Sequence, residues 1–232
     1  MIDIILLAIV GLVTWCVAAE GVVGAVLIFF SVLFAGLLTM DLFEPAAAML
    51  ESVSSNASWA ALCDITAFLG LFGLFVLGFR TMTEKLSPTY IFVPTLVDNI
   101  GRWAFAFMTG YVTMAILLTA MHTSPFPREF IGFKPERKNL LEFAAPDRQW
   151  LGFVQYVSET SFRRGDDGLH IFDGFRFSVP GQETTVWPSF PIRYAYRRQM
   201  IASGAASASA PPPAPAPVAA PAPGGGGTGP SF

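Results

Sequence analysis

The chain has 232 residues, of which 53% are hydrophobic and only 13% charged, and its mean hydropathy is +0.54. A soluble domain carries about 25% charge, and so few charges cannot cover the apolar surface of a globule this size; an ordinary cytosolic enzyme is excluded. The net charge of −3 leaves no footprint for a nucleic-acid partner.

The charge is unevenly spread. Residues 1–127 hold three basic side chains, Arg80, Lys85 and Arg102, and the other eleven follow residue 127. The front of the chain therefore reads as a membrane region and the back as ordinary polar chain. Cys16 and Cys63 both sit in apolar runs and read as small apolar side chains rather than a disulfide.

A bilayer core needs about 20 apolar residues per helix. The first two runs, 2–19 and 22–40, are separated only by Glu20 and Gly21. As one straight helix they would measure about 58 Å at 1.5 Å per residue. A tight helical hairpin turning at Glu20–Gly21 is therefore expected, because glycine accepts positive φ. A cleaved leader is not expected, since Asp3 stands where a basic segment belongs. The third run, 59–79, stops at Arg80. The fourth, 103–121, stops at His122, read here as an interfacial histidine. Trp59, Tyr90 and Trp103 lie at or near run ends, where amphipathic rings suit headgroups.

The loop between the third and fourth runs carries Arg80, Lys85 and Arg102, and that between the second and third carries only acidic residues. The positive-inside rule then places both termini outside. Arg128, Lys134, Arg137 and Lys138 argue the reverse, but long C-terminal segments can translocate despite their charge.

Several polar residues mark candidate sites. Asp64 falls six residues into the third run, either an ion or proton relay or a residue near the interface. Asp98 suits the N-terminal turn of the fourth helix, where the macrodipole favours an anion, with Arg102 at pairing distance four residues on. Glu84, Lys85 and Arg80 read as a solvated patch. His122 and His170 have no metal-ligand spacing, and no cofactor motif is present.

Residues 123–138 are a proline-broken basic–aromatic linker. Residues 147–160 predict a short amphipathic helix, with Asp147 as a cap and Trp150, Leu151, Val154 and Val157 at helical spacing. Short alternating stretches at 169–179 and 184–192 allow a small hairpin. Residues 203–232 are uncharged and rich in Ala, Pro and Gly, the composition of a disordered tail. The expected organisation is a four-span all-α membrane domain over 1–122, a polar juxtamembrane region over 123–202, and that tail.

The order of these features resembles the colicin V production protein family of bacterial inner-membrane proteins. Asp3 lies eighteen residues before Gly21, matching the family's early Asp and turn glycine, although Glu20 replaces its basic residue. Phe79 to Lys85, and the loop to Val97-Asp98, match the segment leading into the last span. From Asp98 the family's small positions fall on Arg102, Ala106 and Gly110; two of the three fit, and Gly101 is one place out of register. The resemblance covers about residues 1–122. It implies a non-enzymatic, multi-pass inner-membrane protein linked to toxin production or export and to envelope integrity. The lipid bilayer, other envelope or export proteins and a second copy are the partners it suggests. A small channel or transporter subunit, and an anchor presenting residues 123–200, are the alternatives the residues leave open.

Overall fold

The computed structural model describes residues 2–53, 57–86, 92–126, 130, 132–133, 139–141, 143–160, 172, 190–191 and 194. Among them the chain is helical: α1 (Ile2–Ala18), α2 (Gly21–Glu51), α3 (Ala57–Leu86), α4 (Thr95–His122) and α5 (Pro146–Thr160). No strand forms among the described residues, only the isolated bridges Phe130–Phe133 and Leu140–Ala144. The proposed hairpin segments (apart from Phe172, Phe190 and Pro191) and the 203–232 tail lie outside the described residues.

Three helices, α2, α3 and α4, are long and apolar enough to cross a membrane, and α1 is a shorter apolar helix of 17 residues. α2, α3 and α4 each outlast their apolar run at both ends, whereas α1 stays within its own. α2 continues through Pro45 to Glu51, and α3 begins at Ala57. Apolar helices leave hydroxyl side chains without water. Ser31, Thr39, Thr109, Thr113 and Thr119 each donate to the carbonyl four residues back, at 2.7–2.9 Å. Every one is thereby satisfied within its own helix.

The break between α1 and α2 falls at Ala19–Glu20, one residue before the Glu20–Gly21 turn expected, and Gly21 opens α2 at φ +73°. The packing partner is not the expected one. α1 touches α2 mainly beside that turn, where Val17 and Ala18 meet Ala25, and runs along α4 instead. The small-residue face of α4 admits it: at Gly110 a β-carbon would stand 2.8 Å from the Val10 carbonyl oxygen of α1.

Contacts fix the directions. Ile2, Leu6 and Val10 pack with Met114 and Leu118, while Thr14 reaches Ala106, so α1 is antiparallel to α4. Val22 lies against Gly101 and Gly36 against Ile116, so α2 and α4 run the same way. Phe43 meets Phe68 and Glu20 meets Arg80, so α3 is antiparallel to α2. The helices form a layer in the order α3, α2, α4, α1. One edge of it gathers Glu20, Arg80 and Asp98 (the Glu20 end), and the other gathers Asp3 and His122 (the His122 end).

α5 docks on the layer. Trp150, Leu151 and Val154 join one core with Val32, Ala35, Met40, Phe43, Phe68, Ile116 and Ala120, together with Phe190 and Tyr194. The apolar face of the amphipathic helix is thus packed against the layer. Outward-facing side chains are apolar along the other helices, including Ile4, Leu12, Phe34, Leu74, Leu77 and Phe107, as lipid contact requires.

Candidate functional site

At the Glu20 end, three sequence-marked residues meet around one turn. The Val22 N–H donates to Asp98 Oδ1 at 2.9 Å. Glu20, which precedes α2, makes no side-chain cap of its own. The first turn of a helix leaves N–H groups without intrahelical partners, and here a carboxylate from α4 satisfies one of them. Asp98 therefore caps α2 rather than serving only its own helix. The expected Asp98–Arg102 ion pair does not form: the carboxylate is turned to Val22, and Arg102 makes no ion pair among the described residues. A β-carbon on Gly21 would lie 3.3 Å from Asp98 Oδ1, at a φ that side chains resist.

Glu20 pairs with Arg80 at 3.0 Å, and Arg80 pairs with Glu84 at 2.8 Å. All three are exposed, as a headgroup-level patch would be.

The small positions on α4 do what close helix contact demands. Ala106 is fully buried and its carbonyl accepts from Thr14 Oγ1 at 3.5 Å. A β-carbon on Gly110 would stand 2.8 Å from the Val10 carbonyl oxygen and 2.9 Å from Thr14 Oγ1. At the start of α4 the close approach falls on Gly101, where a β-carbon would lie 2.5 Å from Val22 Cγ2. Arg102 is thus not a packing position; the glycine one place earlier is. By contrast Gly70, Gly73 and Gly78 on α3 have open space around them.

Asp64 lies seven residues inside α3 and is buried beside Cys63. Cys63 and Ala67 pack on Ala47, beyond Asp41 on α2, so Asp64 belongs to the His122 end and not to the middle of the layer. Asp3, at the same end, accepts from the Leu141 N–H at 2.6 Å and ties the start of α1 to the segment after α4.

The sequence reading missed a fully buried polar contact. His122 Nε2 and Asp147 Oδ2 are 2.9 Å apart, and both side chains are 0% exposed. His122, at the end of α4, is enclosed by protein rather than exposed. Phe133 and Phe190 pack against its ring at 5.0 and 6.3 Å. Asp147, expected as a cap, is spent on this histidine. Next to it, the Tyr111 hydroxyl donates to Gln149 Oε1, and the Trp150 ring sits over Gly36 and Ile116. The available signal was weak: a histidine closing one helix and an acid opening the next.

Apolar helices with apolar outer faces, hydroxyls satisfied internally and charges kept to the ends define a helical membrane protein. Residues 2–138 match the family model described as colicin V production protein. The chain belongs to that family. Comparison with curated proteins and with solved structures found no match.

Proposed function

We propose that the chain is a four-span, non-enzymatic inner-membrane protein acting in toxin production or export, or in envelope maintenance. The family match over residues 2–138 carries this reading. Four spans are supported by α1, which packs along α4 between Leu118 and Ala106 and whose outer side chains are apolar. At 17 residues α1 is about 25 Å long, the lower limit for crossing a hydrocarbon core.

Two measurements test it. A reporter active on one side of the membrane, placed at the N-terminus and fused after residues 20, 53, 90 and 200, should report alternating sides. Agreement between any two successive positions would end the four-span reading. Deleting the gene should change toxin export or sensitivity to envelope stress, and restoring it should reverse the change. A deletion strain unaltered in both would remove the functional reading.

A further inference from the structure

Arg102 is a cation without a counter-ion. Its Nε is buried and has no hydrogen-bond partner, and no ion pair reaches it among the described residues. A guanidinium stays charged in proteins, so the cost of that buried donor is not relieved by losing a proton. The acids nearest to it are engaged. Glu20 and Glu84 pair with Arg80, and Asp98 accepts from the Val22 N–H. The stretch from Lys85 to Val97 contains no acidic residue. An anion for Arg102 therefore comes from outside these helices.

The position of Arg102 follows from its neighbours one turn away. It shares a face of α4 with Asp98 and Ala106. Asp98 meets Val22, and Ala106 packs with Val17, Ala18 and Ala25. Arg102 thus lies beside the turn that joins α1 to α2. The last carbonyls of α1 lack intrahelical partners there, which favours a cation, yet Arg102 donates to none of them among the described residues. The residue is half-buried and only Nε is closed off, so its Nη groups reach the surface.

The surface they reach is apolar as well as charged. Trp103, next in the chain, and Trp15 of α1 have ring centroids 6.5 Å apart and are both exposed. Ile100 and Phe107 continue the exposed apolar strip along α4, and Leu12 continues it along α1. Tryptophan rings between a charged helix end and an apolar wall suit the headgroup level. A free inorganic anion would use the guanidinium alone, whereas a phospholipid would use both the guanidinium and the strip. The planar guanidinium matches a phosphate with two parallel hydrogen bonds.

We propose that Arg102 binds the phosphate of an anionic phospholipid whose acyl chains lie along Trp15, Trp103 and Phe107. The inference needs only that the helices lie in a membrane, and it is independent of the toxin or envelope role.

The full chain, in neutral detergent, is titrated with phosphatidylglycerol, phosphatidylcholine or inorganic phosphate. Binding is read from the rise in the thermal unfolding midpoint, and retained lipids are counted by native mass spectrometry. Phosphatidylglycerol is expected to bind about fivefold tighter than phosphatidylcholine. Arg102→Gln should abolish that preference and lose one retained phosphatidylglycerol. Lys85→Gln removes the same charge from the same end and should keep both. An unchanged preference in Arg102→Gln overturns the proposal. Equal losses in the two variants mean diffuse surface charge and overturn it too. Inorganic phosphate that displaces the lipid at equal concentration overturns it in favour of a free-anion site. A further measurement leaves Arg102 in place. Phosphatidylglycerol with brominated chains should quench tryptophan fluorescence more than brominated phosphatidylcholine, and Trp15→Phe with Trp103→Phe should remove the difference. Equal quenching by the two lipids overturns the proposal.

Discussion

The Asp98 carboxylate, on α4, accepts a hydrogen bond from the backbone N–H of Val22 on α2, 76 residues away. The first turn of a helix leaves N–H groups without intrahelical partners, and here another helix supplies an acceptor. The cap arrives from another helix because the residue before α2, Glu20, is turned to Arg80. Asp98→Ala should lower stability by about 1 kcal/mol, the usual cost of losing a cap. Asp98→Asn keeps an acceptor and should cost less. Gly21→Ala, forced to positive φ, should cost about 1–2 kcal/mol. Thermal unfolding in detergent, followed by helical circular dichroism, orders the three. An unaffected Asp98→Ala protein would show that the bond contributes nothing.

Glycines on two helices should respond oppositely to the same change. At Gly110 a new methyl meets the α1 backbone at 2.8 Å, and backbone cannot swing aside as a side chain can. Gly110→Ala should cost about 1–3 kcal/mol by overpacking and loosen α1. At Gly70 nothing lies within 4 Å, so Gly70→Ala should be neutral or slightly stabilising, since alanine favours helix. Unfolding curves of the two variants side by side decide it. Equal shifts would mean that the α1–α4 approach is not the close contact that Gly110 serves.

The sequence revealed the helices because hydrophobic length is a strong signal, and the turn near Gly21 because the 39-residue stretch 2–40 must break. Ala106 and Gly110 were legible because small residues four apart share a face. Which helices neighbour each other was not. Helices apolar all round carry no stripe that points to a core, so α1 was paired with its chain neighbour α2 when it packs on α4. The Gly101 register was misjudged for a related reason: the contact is with Val22, which no pattern within α4 reveals. His122 and Asp147 are 25 residues apart across a proline-broken segment, a separation at which no local periodicity operates.

Gly36 and Trp150 form the contact that seats α5. A β-carbon on Gly36 would lie 2.6 Å from both Trp150 Cζ2 and Ile116 Cδ1. Trp150→Ala removes the ring and should cost about 3–5 kcal/mol, and it should free α5 for proteolysis. Gly36→Ala should destabilise the native chain. In a Trp150→Leu background its effect should shrink, because the ring that the methyl strikes is gone. Additive effects in that pair of variants would refute direct contact.

The His122–Asp147 contact makes a different demand. Both side chains are fully buried, so removing either partner takes a hydrogen bond from a buried polar group. His122→Ala and Asp147→Ala should each cost about 3–5 kcal/mol. The double variant should cost much less than the sum, since neither group is left behind. An apolar pair of similar size, His122→Phe with Asp147→Leu, should recover most of the stability, because burying two polar groups is itself expensive. Arg80→Ala provides the contrast: its pairs with Glu20 and Glu84 are exposed, and its loss should cost no more than about 1 kcal/mol. The double-mutant cycle, measured by thermal unfolding, checks these together. Strict additivity at 122 and 147, or an Arg80→Ala effect as large as theirs, would place the polar anchor of α5 elsewhere.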